Sequence, residues 1–285
     1  MSNLKKNIAV LALAVIAIHL AYIGFIRPQA ELVIEAARLA GQSAPRDLLV
    51  ILKDFEQEIC LILMVWGTFL ISDKCIHILK EHYLFKVDLL ASGADIDSGS
   101  DTSLDKLEDR SEGPQEVLAG SSLADSSPND KAMLGDSLAK LENLPDEVRK
   151  SPLVQTLMAS LRRYLITGDV QNTSDAITAS VEVLGVRLEA ENSMVRYLIW
   201  AIPSIGFIGT VRGIGQALSQ ADKALAGDIA GMTDSLGVAF NSTLVALIIS
   251  IGLMFLLHQL QRLQDGLLVD TQEYCEKFLL NRISS

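Results

Sequence analysis

Thr210, Asn241, Ser242 and Thr243 carry hydroxyl and amide groups inside two of the most apolar stretches of the chain. A hydroxyl in such a place can bond the carbonyl one turn back. Several that share a facing can also line a thin file of water, and water beside a carboxylate is how protons cross an apolar barrier. None of the four apolar spans of the chain is expected to hold an Asp or Glu at depth, so the acid for such a path is expected from another protein. Arg212 lies near the end of its stretch. Its guanidinium is expected either to snorkel to lipid headgroups or to form an ion pair, with Asp234 at the start of the next stretch or with a partner's acid.

The glycines around these groups set a spacing problem. Gly206, Gly209 and Gly213 recur at three and four residues and so share one helical face, which Ala217 continues. Each weakens a helix by roughly 1 kcal/mol against alanine, a cost that close backbone approach between helices in lipid can offset. The following stretch repeats the device with Gly231, Ser235, Ala239, Ser242, Ala246 and Ser250. Two small-faced helices in tandem imply a crowded interface and oligomerisation around something.

These helices belong to a chain whose composition is divided. Apolar residues make up 49%, yet the formal charge is −11. Residues 91–150 hold 14 acidic and 6 basic side chains, a net of −8 that accounts for most of the total. The remainder reads as an all-α, multi-pass membrane protein with four transmembrane helices, some continuing into the cytoplasm as long rods. The uncharged run 7–26, closed by Arg27-Pro28, spans about 30 Å as helix, enough to cross a bilayer, and the first span is placed at 8–26. His19 within it reads as a packed, neutral imidazole.

A segment at 27–54 follows, with a short amphipathic helix over 30–40 and a new helix starting near Pro45 that nothing breaks until about Leu90. The second span is placed at 55–72, although its uncharged portion, Ile59–Ser72, is only about 21 Å of helix. A cytoplasmic extension covers 73–90. The stretch 91–150 is poor in bulky apolar residues and reads as an acidic, largely disordered linker, helical only weakly after 131. Cytoplasmic helices occupy 151–196, one closed by Gly168, the next capped by Asn172-Thr173-Ser174 and carrying a seam of Ile177, Val181, Leu184 and Leu188. The third span covers 197–218, a loop 219–230, the fourth span 231–257, and a helical tail 258–285 whose seam could pack antiparallel on the first. Lysine and arginine near the spans favour both termini inside.

Several chemistries find no support. The acidic balance offers no footprint for nucleic acid. Cys60, Cys75 and Cys275 lack zinc or disulfide spacing. His77 and His82 are off the i,i+4 spacing that suits a shared metal, and Asp97, Asp101, Asp105 and Glu108 miss the calcium-loop glycine at Thr102. Gly213-x-Gly215 follows no strand and is no nucleotide fingerprint. No enzyme activity, cofactor or metal is expected.

GFIGTVRGIGQAL resembles the glycine–threonine signature of the third-span region in the MotA/TolQ/ExbB proton-channel family, and SLGVAFNSTLVALIIS resembles that family's following helix. The order of elements matches as well. The resemblance implies that Thr210 and Thr243 are pore threonines and that Gly206, Gly209 and Gly213 pack closely. It also implies a bacterial inner-membrane, ion-driven motor subunit, forming a ring of five copies around a dimer of a single-span partner of the ExbD/TolR/MotB kind, whose membrane aspartate carries the proton. Three positions depart from the pattern: Arg212 replaces a bulky apolar residue, Val238 replaces a glutamate, and a late proline is missing from IISIGL. The alternative is a non-conducting oligomeric scaffold.

Overall fold

The structure is a computed structural model, and it describes residues 2–39, 47–81, 85 and 128–280. Every element among these is helical: α1 (Ser2–Ala21), α2 (Arg27–Leu39), α3 (Leu48–Ile51), α4 (Phe55–Glu81), α5 (Pro128–Glu142), α6 (Asp146–Arg149), α7 (Pro152–Thr167), α8 (Val170–Glu191), α9 (Ser193–Leu218), α10 (Ala221–Leu225) and α11 (Ala230–Cys275). π-Helical turns at Tyr22–Ile26 and Glu276–Leu280 complete the set. Among the described residues four helical stretches are long and apolar enough to cross a membrane: Lys5–Ala37, Phe55–Glu81, Val170–Leu218 and Ala230–Leu280. The described chain divides into two compact units, Met1–Lys80 with Val186–Gly266, and Glu81–Gly185 with Leu267–Ser285.

In the first unit, the helix does not stop at Arg27-Pro28 as expected. Proline lacks an N–H and its ring crowds the carbonyl one turn back. The chain absorbs both with a π turn, in which the Arg27 N–H reaches the Tyr22 carbonyl, and runs on into α2. The helix expected to run from Pro45 to Leu90 is interrupted instead. Pro45 itself lies outside the described residues, but α3 ends at Ile51 and α4 starts afresh at Phe55. The new start puts Glu56 and Glu58 in a first turn, where acids complement the positive end of the helix dipole.

Two charged layers bound this unit. At one end Lys6 pairs with Asp73 at 2.5 Å and Lys74 with Glu191 at 3.4 Å, beside the buried Asn192–Gln264 hydrogen bond at 2.6 Å. At the other, Arg27 pairs with Glu58 and Arg212 with Glu56. From Glu56 to Lys74 is about 27 Å of helix rise, and from Glu191 to Arg212 about 31 Å, close to the roughly 30 Å of a hydrocarbon core. Because Glu56 and Glu58 are buried against arginines, the 14 uncharged residues do not have to cross the core alone.

Between the layers α4, α9 and α11 share a core of Cys60, Leu70, Ile71, Leu198, Ile202, Ile249 and Leu253, among others. Outward-facing Trp200, Phe207, Ile208, Phe240, Ile251 and Phe255 stay exposed, as suits helices whose surroundings are lipid or further protein. α9 passes through Pro203 without ending. The missing proline N–H leaves the Ile199 carbonyl one turn back without its helical donor, and the Ser250 hydroxyl of α11 donates to that oxygen at 2.8 Å.

In the second unit α5, α6 and α7 pack with the start of α8 and the end of α11. The core holds Leu134, Leu141, Leu153, Leu157, Leu161, Tyr164, Ile177 and Tyr274. This corrects the reading of 131–150 as only a weakly helical continuation of the linker: α5 starts at Pro128, Leu134 and Leu141 are buried, and α5 has a partner, α7, that lies beyond the acidic stretch. The rest of the linker, 91–127, lies outside the described residues. Gly168 closes α7 in the left-handed conformation at φ 66°, as its position indicates. The cap of α8 is Asp169 rather than Asn172-Thr173-Ser174: its Oδ1 accepts the Gln171 N–H at 3.0 Å, so the helix begins three residues early.

Candidate functional site

α9 and α11 approach each other along their small residues. A methyl built at Gly206 would stand 2.5 Å from Ala246 Cβ, one at Gly209 2.6 Å from Ser242 Cβ, and one at Gly213 2.8 Å from Ala239 Cβ. None of these positions tolerates a larger side chain without separating the helices. The row ends at Gly231, where the Gln220 side chain lies over the glycine and donates to Ser235 Oγ at 3.0 Å. Gln220 gave no signal in the sequence.

The close approach brings the two threonines together. Thr210 Oγ1 and Thr243 Oγ1 are in direct hydrogen-bond contact. Thr210 Oγ1 also reaches Ala239 O at 3.0 Å and Gly206 O at 3.3 Å, and Thr243 Oγ1 reaches Gly206 O at 3.3 Å. Two hydroxyl protons therefore face three acceptors (two carbonyls and the opposite hydroxyl), so the protons can be redistributed by rotating the C–O bonds. Both threonines are half-buried. Ser242 is buried one residue away, donating to Val238 O at 2.9 Å and accepting from Gln57 Nε2 at 3.3 Å. Asn241 is half-buried and stands outside the Thr210–Thr243 contact.

The ion pair expected between Arg212 and Asp234 does not form. Arg212 Nη2 donates to Glu56 Oε2 at 2.8 Å and lies 3.8 Å from Asp54 Oδ1, while Asp234 is exposed. The reason is geometric: the interrupted start of α4 carries its acids to the Arg212 level, with Glu56 seated against Gly209, where an added methyl would stand 3.1 Å from Glu56 Cγ. Burial pushes the Asp54 carboxyl above its usual range, against the opposing pull of Lys53 and Arg212.

His19 is not packed in the core. Its side chain is 53% exposed and its Nδ1 lies 2.5 Å from Glu58 Oε1, while Arg27 Nη2 holds Glu58 Oε2 at 2.7 Å. The chain thus carries buried carboxylates of its own beside the hydroxyl-bearing helices. The sequence did hold a signal: Glu56 and Glu58 directly precede an apolar run, and oppositely charged or ionisable Arg27 and His19 sit at the matching end of the first one. Among the described residues no group of three or more His, Cys, Asp and Glu side chains could hold a metal ion.

Residues 148–273 match the model of the MotA/TolQ/ExbB proton channel family. The match covers a little under half of the chain, including α7 to α10 and nearly all of α11, and leaves α1 to α5 outside it. No curated protein and no solved structure matches this chain.

Proposed function

We propose that this membrane protein, matching the MotA/TolQ/ExbB proton channel family over 148–273, is the channel-forming subunit of a proton-motive-force-driven motor in a bacterial inner membrane. Copies of the chain surround a single-span partner, five around a dimer in the arrangement the family resemblance implies. A partner aspartate takes up and releases protons against the face that bears Thr210 and Thr243, with Ser242 and Asn241 beside it. Gly206, Gly209, Gly213, Gly231, Ser235 and Ala239 keep α9 and α11 close enough to hold that face rigid. Both termini lie in the cytoplasm, which puts the Lys6–Asp73 layer inside and the Glu56–Arg212 layer outside. The proton's relocation turns or shifts the ring against the partner, and no covalent chemistry is involved.

The observation that carries this reading is the direct contact of the Thr210 and Thr243 hydroxyls within the family-matched helices. The test is proton flux into liposomes holding the full chain with and without its single-span partner. Thr210→Val or Thr243→Val, isosteric but unable to bond, should cut partner-dependent flux while leaving assembly intact. Full flux in both variants would overturn the role given to the threonines, and no partner-dependent flux from the unaltered chain would favour a non-conducting scaffold.

A further inference from the structure

α4 lies over the seam between α9 and α11. A methyl built at Gly67 would stand 3.2 Å from Leu253 of α11 and 3.4 Å from Leu198 of α9, and Cys60 Sγ donates to Ile202 O of α9 at 3.8 Å. At the threonine level two consecutive residues of its first turn divide this grip. Glu56 sits on α9, against Gly209 and paired with Arg212. Gln57 turns to α11 and donates to Ser242 Oγ at 3.3 Å. Gly209 and Ser242 face each other across the seam, and each directly precedes one of the two threonines.

Gln57 is a poor choice for holding a fold together. It is wholly buried, and its Oε1 has no hydrogen-bond partner. Turning the amide over exchanges its two ends and still leaves one unpaired. A methionine would fill the same gap with no strongly polar atom to satisfy. Nor would that change orphan Ser242, whose hydroxyl already donates to Val238 O at 2.9 Å. The buried amide therefore weakens the fold relative to an apolar side chain, and what it provides in return is a hold on one hydroxyl. Departures of this kind concentrate at functional sites.

We propose that Gln57 is a positioning residue for the threonine pair: by holding Ser242 against Gly209, it fixes α11 beside Thr243 and keeps the Thr243 hydroxyl on Thr210. This rests on the proton-channel reading above and extends its site to α4, which lies outside the family match. Groups that exchange protons need fixed separations, and small misplacements are costly to rate. Glu56 secures the α9 side, with its carboxylate on Arg212 and its Cγ against Gly209. Gln57 secures the α11 side. Without it Ser242 keeps its bond to Val238 O within α11, but α11 loses its polar tie to α4 at this level. Thr243 can then move off Thr210 with the fold intact.

Gln57→Met in the full chain separates a positioning role from a structural one by the sign of two effects. Its unfolding midpoint in detergent should equal or exceed the parent's, while partner-dependent proton flux in liposomes should fall on the order of tenfold. Ser242→Ala should lower flux at least as far, and Gln57→Met should add nothing in that background. A readout free of flux and partner is the disulfide between Thr210→Cys and Thr243→Cys within one chain, formed in lipid nanodiscs with copper phenanthroline as oxidant and identified by mass spectrometry. It should form several-fold more slowly when Gln57→Met is added. Parental flux in Gln57→Met, a lowered midpoint, additive losses with Ser242→Ala, or an unchanged disulfide rate each overturns the positioning role. Full flux in Thr210→Val and Thr243→Val overturns the channel reading instead, and the disulfide rate still decides whether Gln57 holds the pair together.

Discussion

Arg212 donates to Glu56 at 2.8 Å across 156 positions of sequence, and the two side chains differ sharply in exposure, 40% for the arginine and 6% for the glutamate. The pair fastens α4, outside the family match, to α9, inside it. Removing the arginine leaves a carboxylate buried without its counter-ion, which is the costly way to break such a pair.

Arg212→Ala should therefore lower stability by about 1–3 kcal/mol, at or below the low end for a buried pair because the guanidinium is partly solvated. Arg212→Met with Glu56→Met together should lose less than Arg212→Ala alone. Thermal unfolding of Arg212→Met, Glu56→Met and the double variant in one detergent measures the coupling, and strict additivity would show that the pair contributes nothing of its own.

The glycine row predicts a contrast within the same helices. Gly209→Ala and Gly213→Ala place a methyl 2.6 and 2.8 Å from the opposite helix. Each should cost about 1–3 kcal/mol through overpacking and separate the threonine hydroxyls. Gly237→Ala and Gly252→Ala meet nothing within 4 Å and should be neutral or stabilising by up to about 1 kcal/mol. Unfolding midpoints of the four variants decide it.

Ser250 and Pro203 predict a non-additive pair. Ser250→Ala strips the Ile199 carbonyl of its donor and should cost about 1–3 kcal/mol. Pro203→Ala restores a backbone N–H one turn along, so Ser250→Ala should be milder in the Pro203→Ala background. A double-mutant cycle reads the difference directly, and strict additivity would show that the hydroxyl does not substitute for the proline's missing donor.

Asp54 predicts a pH dependence. Its folded carboxyl titrates above its ordinary value of 3.8 because burial disfavours the charge. The folded state then holds the proton more tightly than the unfolded chain. That contribution is fully present below the unfolded value and is lost as pH rises through the folded one. Asp54→Asn, which cannot ionise, should be more stable than the parent at neutral pH, and the advantage should shrink as pH falls toward 4. Stability curves of the two proteins across that interval check the sign.

Much of this arrangement was legible from spacing. Gly206, Gly209 and Gly213 recur with the helical period, and the structure brings that face onto Ser242, Ala239 and Ala246. Gly168 ends a helix because only a residue free of Cβ takes φ 66° easily. Contacts between distant elements were not legible. Asp234 looked like the partner of Arg212 because it is near in sequence, whereas Glu56 comes from an element whose start was misplaced. Pro28 looked like a stop because a π turn needs a surrounding bundle to stabilise it. Leu134 and Leu141 looked like parts of a solvated acidic stretch because their apolar partners come from α7. His19 looked inert because the acid opposite it lies on another helix.

The central claim is that α9 and α11 present Thr210 and Thr243 to an acid supplied by a partner. The most direct measurement is a structure of the full chain with its single-span partner in lipid nanodiscs, read for the surroundings of those two hydroxyls. The account predicts that both hydroxyls turn inward to a central passage, within one water of the partner's membrane carboxylate. Hydroxyls that face lipid, with the partner seated against another helix, would contradict it.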